Sequence, residues 1–361
     1  MLKSPPRPLP SPDTVTTTLY DFLDQIGARP RFFSLGRRIT EIPHERFTAF
    51  ENAAEPWSQP FQQAAWLGIL FDDTQAGEPH LWFLRFPLDE QGLLVQAARD
   101  EFLRRIIDSA GQPDNAADPS TDPLGDNPFG FKPNEAQMAN LHARITHSQG
   151  QSPSPQYAHT LEYFSGKQGF EQWQFVGLQG IADLAIRHDE HTGLLTQAIP
   201  QLPAEPFNVL CGCLENAALG DSLIDAIAQR LHTELGTPDP VLIAAALRGL
   251  SNGAQREKVI AAMQVALHSE PGKHPEILAA IAGRAWESLY DNDLRTHFLR
   301  RLAESGQRAF DSILADLLFL PVLRTLLLAD IRDHQQPQEV QQAIATFIQR
   351  FTQSTAKGNK P

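Results

Sequence analysis

The spacing of apolar residues changes near residue 110, from short runs to a continuous helical period. In the first part, apolar runs bounded by Gly, Pro and polar residues are typical of strands, and amphipathic stretches between them are typical of helices. The pattern therefore predicts a small α+β domain over residues 14–109. Its predicted strands are 31–35, 38–42, 66–71 and 81–86, and its predicted helices are 14–26, 43–50 and the stretch from Asp89 to about residue 107.

The last predicted strand and the residues after it form a distinctive stretch. Residues 81–86 are apolar on both faces except for Arg85, which predicts a strand in the centre of its sheet. Pro87 cannot donate a ladder hydrogen bond and should end the strand. We expect Asp89 and Glu90 to begin the next helix, where the helix dipole favours negative charge. Paired carboxylates also suit acid–base catalysis, although no nucleophile accompanies these two.

From residue 157 to residue 351 the apolar positions recur with a helical period. Matching apolar positions recur at spacings of 32, 33 and 35 residues, and a second amphipathic helix follows each of them. A period in the low thirties predicts a HEAT-like α-solenoid, with a compact helical bundle as the alternative. The positions expected to be equivalent and buried are Leu178, Leu210, Ile243 and Leu278.

The remaining segments are predicted to connect or flank these two parts. Residues 110–156 contain Asp-Pro, Asn-Pro and Ser-Pro breaks around one helix, which indicates a linker, with a functional lid over 111–133 as the alternative. Residues 1–13 are rich in Pro and Ser, and residues 352–361 form a polar tail, so we expect both ends to be disordered. The whole chain is thus predicted to be mostly α, with a small α+β domain before a HEAT-like array.

Composition and charge limit the possible partners. The 361 residues are 42% hydrophobic and 8% aromatic, as in globular proteins, and the net charge is −13. This charge opposes non-specific attraction to nucleic acid and to anionic membranes, so neither is an expected partner. The N-terminus has no apolar signal core, and the most apolar run, 313–328, is interrupted by charges and a proline. We therefore predict a cytoplasmic protein.

The two cysteines, Cys211 and Cys213, lie in a helical pattern. Side chains two residues apart point about 200° apart around a helix, so this pair can neither form a disulfide nor share a metal ion. We expect two buried thiols in a reducing compartment. No cofactor is predicted.

The segment 188–191, with the sequence HDEH, has the composition of a metal site. Two imidazoles three residues apart could meet on one helical face beside carboxylates. The segment also falls at the junction of two predicted helices, where polar residues collect on any helical array. That structural interpretation is preferred, and no metal site is predicted.

Arginines surround the first predicted hairpin. Clustered guanidinium groups suit a phosphate or a partner carboxylate, so Arg31, Arg37 and Arg38 are candidate anion-binding or partner-binding residues. Asp89 and Glu90 are further candidates in the same domain. If the site exists, changing Arg37 and Arg38 to Ala should abolish partner capture and leave thermal stability nearly intact. The alternative is ordinary surface pairing with nearby carboxylates, those of Asp24, Glu41 and Glu45.

Four segments carry a resemblance to a known family. They are FSLGRRITEIP (33–43), FPLDEQGLLVQAARDEF (86–102), DNPFGFKP (126–133) and WQFVGLQGIADLA (173–185). With these segments the chain resembles the uncharacterised proteobacterial domain-of-unknown-function 3549 family. The resemblance implies a bacterial cytoplasmic setting and no particular activity.

Two classes of function follow from these patterns. The sequence lacks GxSxG, Walker A, GxGxxG and HExxH motifs. Because helical arrays usually bind other proteins on a concave surface, the first hypothesis is a non-enzymatic adaptor of unknown pathway. The alternative is an enzyme of unknown reaction, with its site between the two domains near Arg37, Arg38, Asp89 and Glu90. Nucleic-acid binding through the arginines is a third hypothesis, which the net charge opposes.

Overall fold

The computed structural model describes residues 18–72, 79–110 and 127–358, with backbone alone for 109–110 and 351–358. The chain forms two compact units, one of residues 1–133 with 319–321 and one of residues 134–318 with 322–361. The segment 1–13, which was predicted to be disordered, lies outside the described residues. So do residues 359–361 of the predicted tail.

The first unit contains an antiparallel sheet of four strands with the order β2-β1-β3-β4. The predicted α+β character of this part is confirmed. In the described part of this unit three α-helices accompany the sheet, and the predicted order of helices and strands is observed. The elements are α1 (Leu19–Gln25), β1 (Arg31–Ser34), β2 (Thr40–Ile42), α2 (His44–Glu51), β3 (Ala64–Asp72), β4 (Pro79–Pro87) and α3 (Gln96–Ala110).

An aromatic core holds α2 against the sheet. The Phe32 ring of β1 stacks on the Phe47 ring of α2 with centroids 3.6 Å apart. On the same helix, Phe50 packs against Trp57 at 4.7 Å. All four side chains are at most 2% exposed. Truncating one of these Phe side chains to Ala should therefore lower the free energy of unfolding by about 3–5 kcal/mol.

The strand predicted to be central, β4, lies at an edge of the sheet, so that prediction is wrong. A loop rather than a strand covers its outer edge: the Arg85 amide donates to the Phe129 carbonyl at 2.7 Å, and the Phe131 amide donates to the Phe83 carbonyl at 3.1 Å. The Phe131 ring also packs edge-on against Trp66, 4.7 Å between centroids. Apolar residues on both faces of a strand indicate that the strand is buried. For β4, the irregular segment around Phe129 and Phe131 provides part of that burial, so no further strand is needed beside it.

The helix predicted to begin at Asp89 begins instead at Gln96, as α3. The Asp89 carboxylate accepts the amides of Gln91 at 2.8 Å and Leu93 at 2.9 Å, which closes a turn. Gly92 has φ +80°, a left-handed conformation that no α-helix continues through. Asp favours such local hydrogen bonds to its own backbone, and here they outweigh the helix-dipole effect.

The regular elements that the structure describes in the second unit are helices. Short 3-10 turns connect several of its α-helices. The helices are α4 (Glu135–Ser148), α5 (Gln156–Phe164), α6 (Leu178–Ile186), α7 (Thr192–Ala198), α8 (Ala204–Leu214), α9 (Asp221–Gly236), α10 (Pro240–Leu250), α11 (Arg256–His268), α12 (Pro275–Arg284), α13 (Asn292–Glu304), α14 (Gln307–Leu317), α15 (Pro321–Arg332) and α16 (Gln338–Gly358).

These helices pack in two rows. In the even row, α4, α6, α8, α10 and α12 each pack on the next, and in the odd row α5, α7, α9, α11 and α13 do the same. The helix assigned to a linker from the sequence is α4, and it begins the even row. The break between α4 and α5 is held in place because the Ser154 amide donates to the Asp183 carboxylate at 3.0 Å. The helical packing therefore begins at α4 rather than at residue 157.

The four positions predicted to be equivalent lie in successive helices of the even row, α6, α8, α10 and α12. Leu210, Ile243 and Leu278 are each 0% exposed, as predicted. Leu178 is the first residue of α6 and is only half-buried, so the prediction is wrong there. A first-turn side chain has fewer neighbours than one in the middle of a helix, and the period alone does not show where a helix starts.

The end of the chain differs from the prediction in length. Pro321 breaks the apolar run 310–331 as expected, because it is the first residue of α15, where its missing amide hydrogen is not needed. The last helix, predicted over 339–351, runs to Gly358. Part of the predicted tail, 352–358, is therefore helical.

Candidate functional site

The first of the predicted arginines is paired inside the hairpin. Arg31 of β1 donates through Nε and Nη2 to the two carboxylate oxygens of Glu41 on β2, both at 2.7 Å. This bidentate hydrogen bond raises the pKa of the Arg31 guanidinium above its ordinary value. Arg31 is therefore paired with Glu41, which is the arrangement expected from the alternative of surface pairing.

Arg37 and Arg38, in the connection between β1 and β2, are buried. They are 1% and 4% exposed, and Arg37 Nε donates to the Pro60 carbonyl at 2.7 Å. Buried guanidinium groups require partners, because removal of an ion from water is expensive. Burial places these two side chains within the first unit, and an anion site there stays a prediction.

The candidate carboxylates of the same unit differ in role. Asp89 closes the turn before α3 through its two backbone hydrogen bonds. Glu90 follows it, and both side chains are exposed. The two hydrogen bonds of the turn account for Asp89, and partner binding at this pair stays a prediction.

The HDEH segment forms a 3-10 turn between α6 and α7. His188 is 4% exposed, its Nδ1 lies 3.1 Å from the Asp189 carboxylate, and burial lowers its pKa. His191 instead faces α5, with Nε2 2.5 Å from the Tyr157 hydroxyl. The two imidazoles thus lie beside different side chains. Across residues 18–72, 79–108 and 127–350, no three His, Cys, Asp or Glu side chains are arranged to hold a metal ion.

The cysteines of α8 are buried thiols, as predicted. Burial raises the pKa of both Cys211 and Cys213 to about 12. The Asn140 amide of α4 lies 3.6 Å from the Cys213 sulfur. Because a thiolate is the reactive form, these thiols are inert near neutral pH.

A cleft of about 320 Å³ lies beside α5, and the sequence analysis did not predict it. We call it the α5 cleft. One wall belongs to α5, and the other belongs to the connection that leads to α6. The lining residues are His159, Glu162, Tyr163, Gln168, Gly169, Gln172 and Phe175.

The connection that forms the cleft is held by its own hydrogen bonds. Gly166 and Gly169 have φ values of +66° and +79°, so the backbone turns sharply at both positions. The Tyr163 hydroxyl of α5 donates to the Phe170 carbonyl at 3.0 Å, and the two rings pack edge-on. Burial raises the pKa of Tyr163 to about 12, so the phenol stays protonated and keeps this bond.

The α5 cleft combines negative charge with an exposed ring. Glu162 accepts a hydrogen bond from the Gln168 side-chain amide at 2.6 Å. The Glu171 carboxylate lies against Gly169, where an added Cβ would come within 2.3 Å of it. Neither carboxylate forms an ion pair with any residue that the structure describes. Phe175 is 73% exposed.

A second candidate surface lies on the even row. Gly212 of α8 and Gly283 of α12 are each the ninth residue of their helix. In the described part of the chain, no residue other than the glycine's own neighbours lies within 4 Å of a Cβ added at either. The ninth residue of α10, between them, is Arg248, which donates to the side chain of Asn208. Val241 of α10 is 53% exposed. We call Gly212, Val241, Arg248 and Gly283 the even-row face.

Neither surface was found from the sequence. The α5 cleft had one available signal, the aromatic and glycine residues of SGKQGFEQWQF (165–175), which lie in a stretch interpreted only as helical. The even-row face had no local signal, because isolated glycines in helices do not show which way they point.

The comparison with known families concerns nearly the whole chain. A family model described as a protein of unknown function (DUF3549) matches residues 14–348. The chain belongs to this family. No curated protein and no solved structure matches it. Membership confirms the resemblance drawn from the sequence and assigns no activity.

Among the helices that the structure describes, none has both the length and the apolar character needed to traverse a bilayer.

Proposed function

We propose that this DUF3549 protein is a non-enzymatic adaptor, and that its helical unit is a HEAT-like α-solenoid whose even-row face holds another protein. The proposal places it in the bacterial cytoplasm, which agrees with its buried reduced thiols. Helical repeat arrays present extended surfaces suited to such binding.

Equivalent arginines support the repeat. The tenth residue of α9 is Arg230, whose Nη1 donates to the carbonyls of Ile199 at 3.0 Å and Leu202 at 2.9 Å, just after α7. The tenth residue of α13 is Arg301, whose Nε donates to the Leu267 carbonyl at 2.6 Å, in the last turn of α11. Each arginine therefore caps the preceding helix of the odd row.

The helix between them shows how the repeat degenerates. The tenth residue of α11 is Val265, which is 38% exposed and cannot cap a helix. The capping arginine is thus present in α9 and α13 and absent from α11 between them. This is the pattern expected when the sequence of a repeat diverges while its helix packing is retained.

The open glycines of the even-row face carry the proposal of protein binding. A glycine inside a helix destabilises it by about 1 kcal/mol relative to alanine. No neighbour among the described residues requires the missing Cβ at Gly212 or Gly283, because both positions face open space there. A partner backbone that approaches closely supplies a physical reason for glycine there. Arg248 lies between them, with its Nε buried and unpartnered among the described residues.

The test compares bulky substitutions on the two rows. A complex isolated with the wild-type chain from its source cell would be reconstituted from purified components and its affinity measured by calorimetry. We expect Gly212→Trp and Gly283→Trp to weaken the complex about tenfold or more, because the indole occupies the approach path.

Gly193→Trp on α7 is the matched control, because Gly193 also faces open space but belongs to the odd row. It should leave the affinity unchanged, and none of the three variants should have a lower free energy of unfolding than the wild type. Equal affinity for all three variants would remove the even-row face as the binding surface. Purification of an active enzyme without a stoichiometric protein partner would overturn the adaptor proposal.

A further inference from the structure

We infer that the α5 cleft is a binding site for an arginine side chain of a basic polypeptide segment. The cleft is a different surface from the even-row face, so this inference does not depend on what that face binds. It rests on three properties of the cleft, which are its charge, its exposed aromatic ring and its amide groups.

The charge of the cleft favours a cation. Glu162 lines it, and the Glu171 carboxylate lies against the lining residue Gly169. Neither carboxylate is neutralised by an ion pair with a described residue. An incoming guanidinium would form charge-assisted hydrogen bonds with a carboxylate, and its planar fork allows two at once. The net charge of −13 on the whole chain acts in the same direction over longer distances.

The exposed ring selects a flat cation. At 73% exposure, Phe175 is the most exposed of the large apolar side chains that the structure describes, ahead of Val322 at 54%. The 3-10 turn Trp173–Phe175 holds it, with the Val176 amide donating to the Trp173 carbonyl at 3.0 Å. A guanidinium stacks on such a ring through cation–π and planar contact, which removes apolar surface from water.

The polar lining supplies further acceptors. Gln168 donates its side-chain NH₂ to Glu162, which leaves its amide oxygen as an acceptor. Gln172 provides a second amide on the lining. A guanidinium carries five N–H donors and an ammonium carries three. A site that offers several carboxylate and amide oxygens therefore suits an arginine better than a lysine. The cleft volume of about 320 Å³ is at the lower end of the range of ligand pockets and is large enough for one arginine side chain.

The first experiment uses a blocked glycyl-arginyl-glycine peptide and the full-length protein. Nuclear magnetic resonance would follow the side-chain amides of Gln168 and Gln172 during titration. We expect saturable shifts with the arginine peptide that weaken as salt increases. The same peptide with citrulline, a neutral analogue of nearly the same shape, should give no saturable shift, and a lysine peptide should bind less tightly than the arginine peptide.

Substitutions then test the two side chains that carry the inference. Glu162→Gln and Phe175→Ala should each weaken arginine-peptide binding about fivefold or more. Both side chains are exposed, so the fold should be retained, which circular dichroism and urea unfolding would check. Matched controls are Glu205→Gln on α8 and Val322→Ala on α15, which change an exposed carboxylate and an exposed apolar residue outside the cleft.

Three results would overturn the inference. They are equal binding of the arginine and citrulline peptides, shifts that never saturate or that map away from the cleft, and unchanged affinity of Glu162→Gln. Each can be obtained without the partner of the even-row face. Failure here therefore leaves the proposed adaptor function standing, and failure of that function leaves this site standing.

Discussion

At the scale of single residues, Glu51 is the buried group whose protonation matters most to the first unit. It is the last residue of α2 and is 1% exposed. Its two carboxylate oxygens accept the amides of Leu19 at 2.7 Å and Tyr20 at 3.1 Å, at the start of α1. Burial, only partly offset by these bonds and by Arg99, raises the pKa of Glu51 from 4.5 to about 7.

The raised pKa predicts a pH-dependent stability. An acid whose pKa is raised by folding favours the folded state while it is protonated. The contribution of Glu51 to the free energy of unfolding is therefore complete below pH 4.5 and is lost as the pH rises to about 7. A shift of this size corresponds to about 3 kcal/mol. As the pH rises from 4.5 to about 7, the free energy of unfolding of Glu51→Gln should therefore increase by about that amount relative to the wild type. Urea unfolding at several pH values measures this difference.

The control for this prediction lies on the same helix. Glu45→Gln changes an exposed carboxylate of α2 and should show the wild-type pH dependence. A constant difference in stability between Glu51→Gln and the wild type at all pH values would show that the Glu51 pKa is not raised.

Burial also changes what is expected of the arginine hairpin. The sequence predicted that replacing Arg37 and Arg38 would leave stability nearly intact. Because Arg37 is 1% exposed and donates to the Pro60 carbonyl, Arg37→Ala should instead lower the free energy of unfolding by about 1–3 kcal/mol for the lost hydrogen bond. Arg46→Ala removes an exposed guanidinium, paired with Glu55, and should cost about 0–1 kcal/mol. Equal stabilities of the two variants in urea unfolding would contradict this expectation.

At the scale of elements, two glycines at opposite ends of α12 should respond oppositely to alanine. A Cβ at Gly272, in the 3-10 turn before α12, would lie 2.6 Å from the carbonyl oxygens of both Ala266 and Leu267. Backbone atoms cannot move aside cheaply, so Gly272→Ala should be destabilising. Gly283→Ala, which faces open space near the end of α12, should stabilise by about 1 kcal/mol.

Urea unfolding of both variants measures this pair, and each serves as the control for the other. A destabilising Gly283→Ala would mean that this position is covered, which would also remove one of the open glycines from the even-row face.

The junction between α7 and α9 depends on a buried ion pair. Arg230 donates to Glu234 at 2.6 Å as well as to the carbonyls after α7, and its guanidinium lies 4.7 Å from the Phe207 ring centroid. Both side chains of the pair are about 10% exposed. Arg230→Met should lower the free energy of unfolding by about 3–5 kcal/mol, because it leaves the buried Glu234 carboxylate without its ion-pair partner.

Two further variants separate the charge from the packing. Arg230→Met with Glu234→Leu should recover part of the lost stability, because no buried charge then remains. Arg300→Met on α13 removes a guanidinium that is 58% exposed and should cost about 0–1 kcal/mol. Thermal unfolding of the three variants gives the order of their stabilities. If the double variant is no more stable than Arg230→Met, the stability lost in Arg230→Met comes from the hydrogen bonds to the carbonyls after α7 and not from the unpaired carboxylate.

At the scale of the whole molecule, the net charge predicts that the protein does not bind polyanions. With 43 acidic and 30 basic residues it should not bind random-sequence DNA or RNA, even at about 50 mM salt, where phosphate contacts are strongest. Filter binding measures this, with a basic protein as the positive control. Binding that falls steeply with salt would support the nucleic-acid hypothesis for the arginines.

The sequence by itself determined the features that rest on local chemistry. Pro240, Pro275 and Pro321 begin helices because the first turn needs no proline amide, and the helical period located most elements between them. The buried thiols followed from the apolar pattern around Cys211 and Cys213. Such features depend on residues within about one or two helical turns of each other.

Tertiary structure decided whatever depends on segments distant in sequence. The loop at Phe129 and Phe131 covers the edge of β4, more than forty residues after that strand begins, so an apolar strand was taken for a central one. The approach of the Pro60 carbonyl decided that Arg37 is buried rather than available on the surface. The α5 cleft exists because Tyr163 holds the connection after α5 against the helix. A periodic pattern records that a side chain is buried or exposed, and only the folded chain determines which groups it meets.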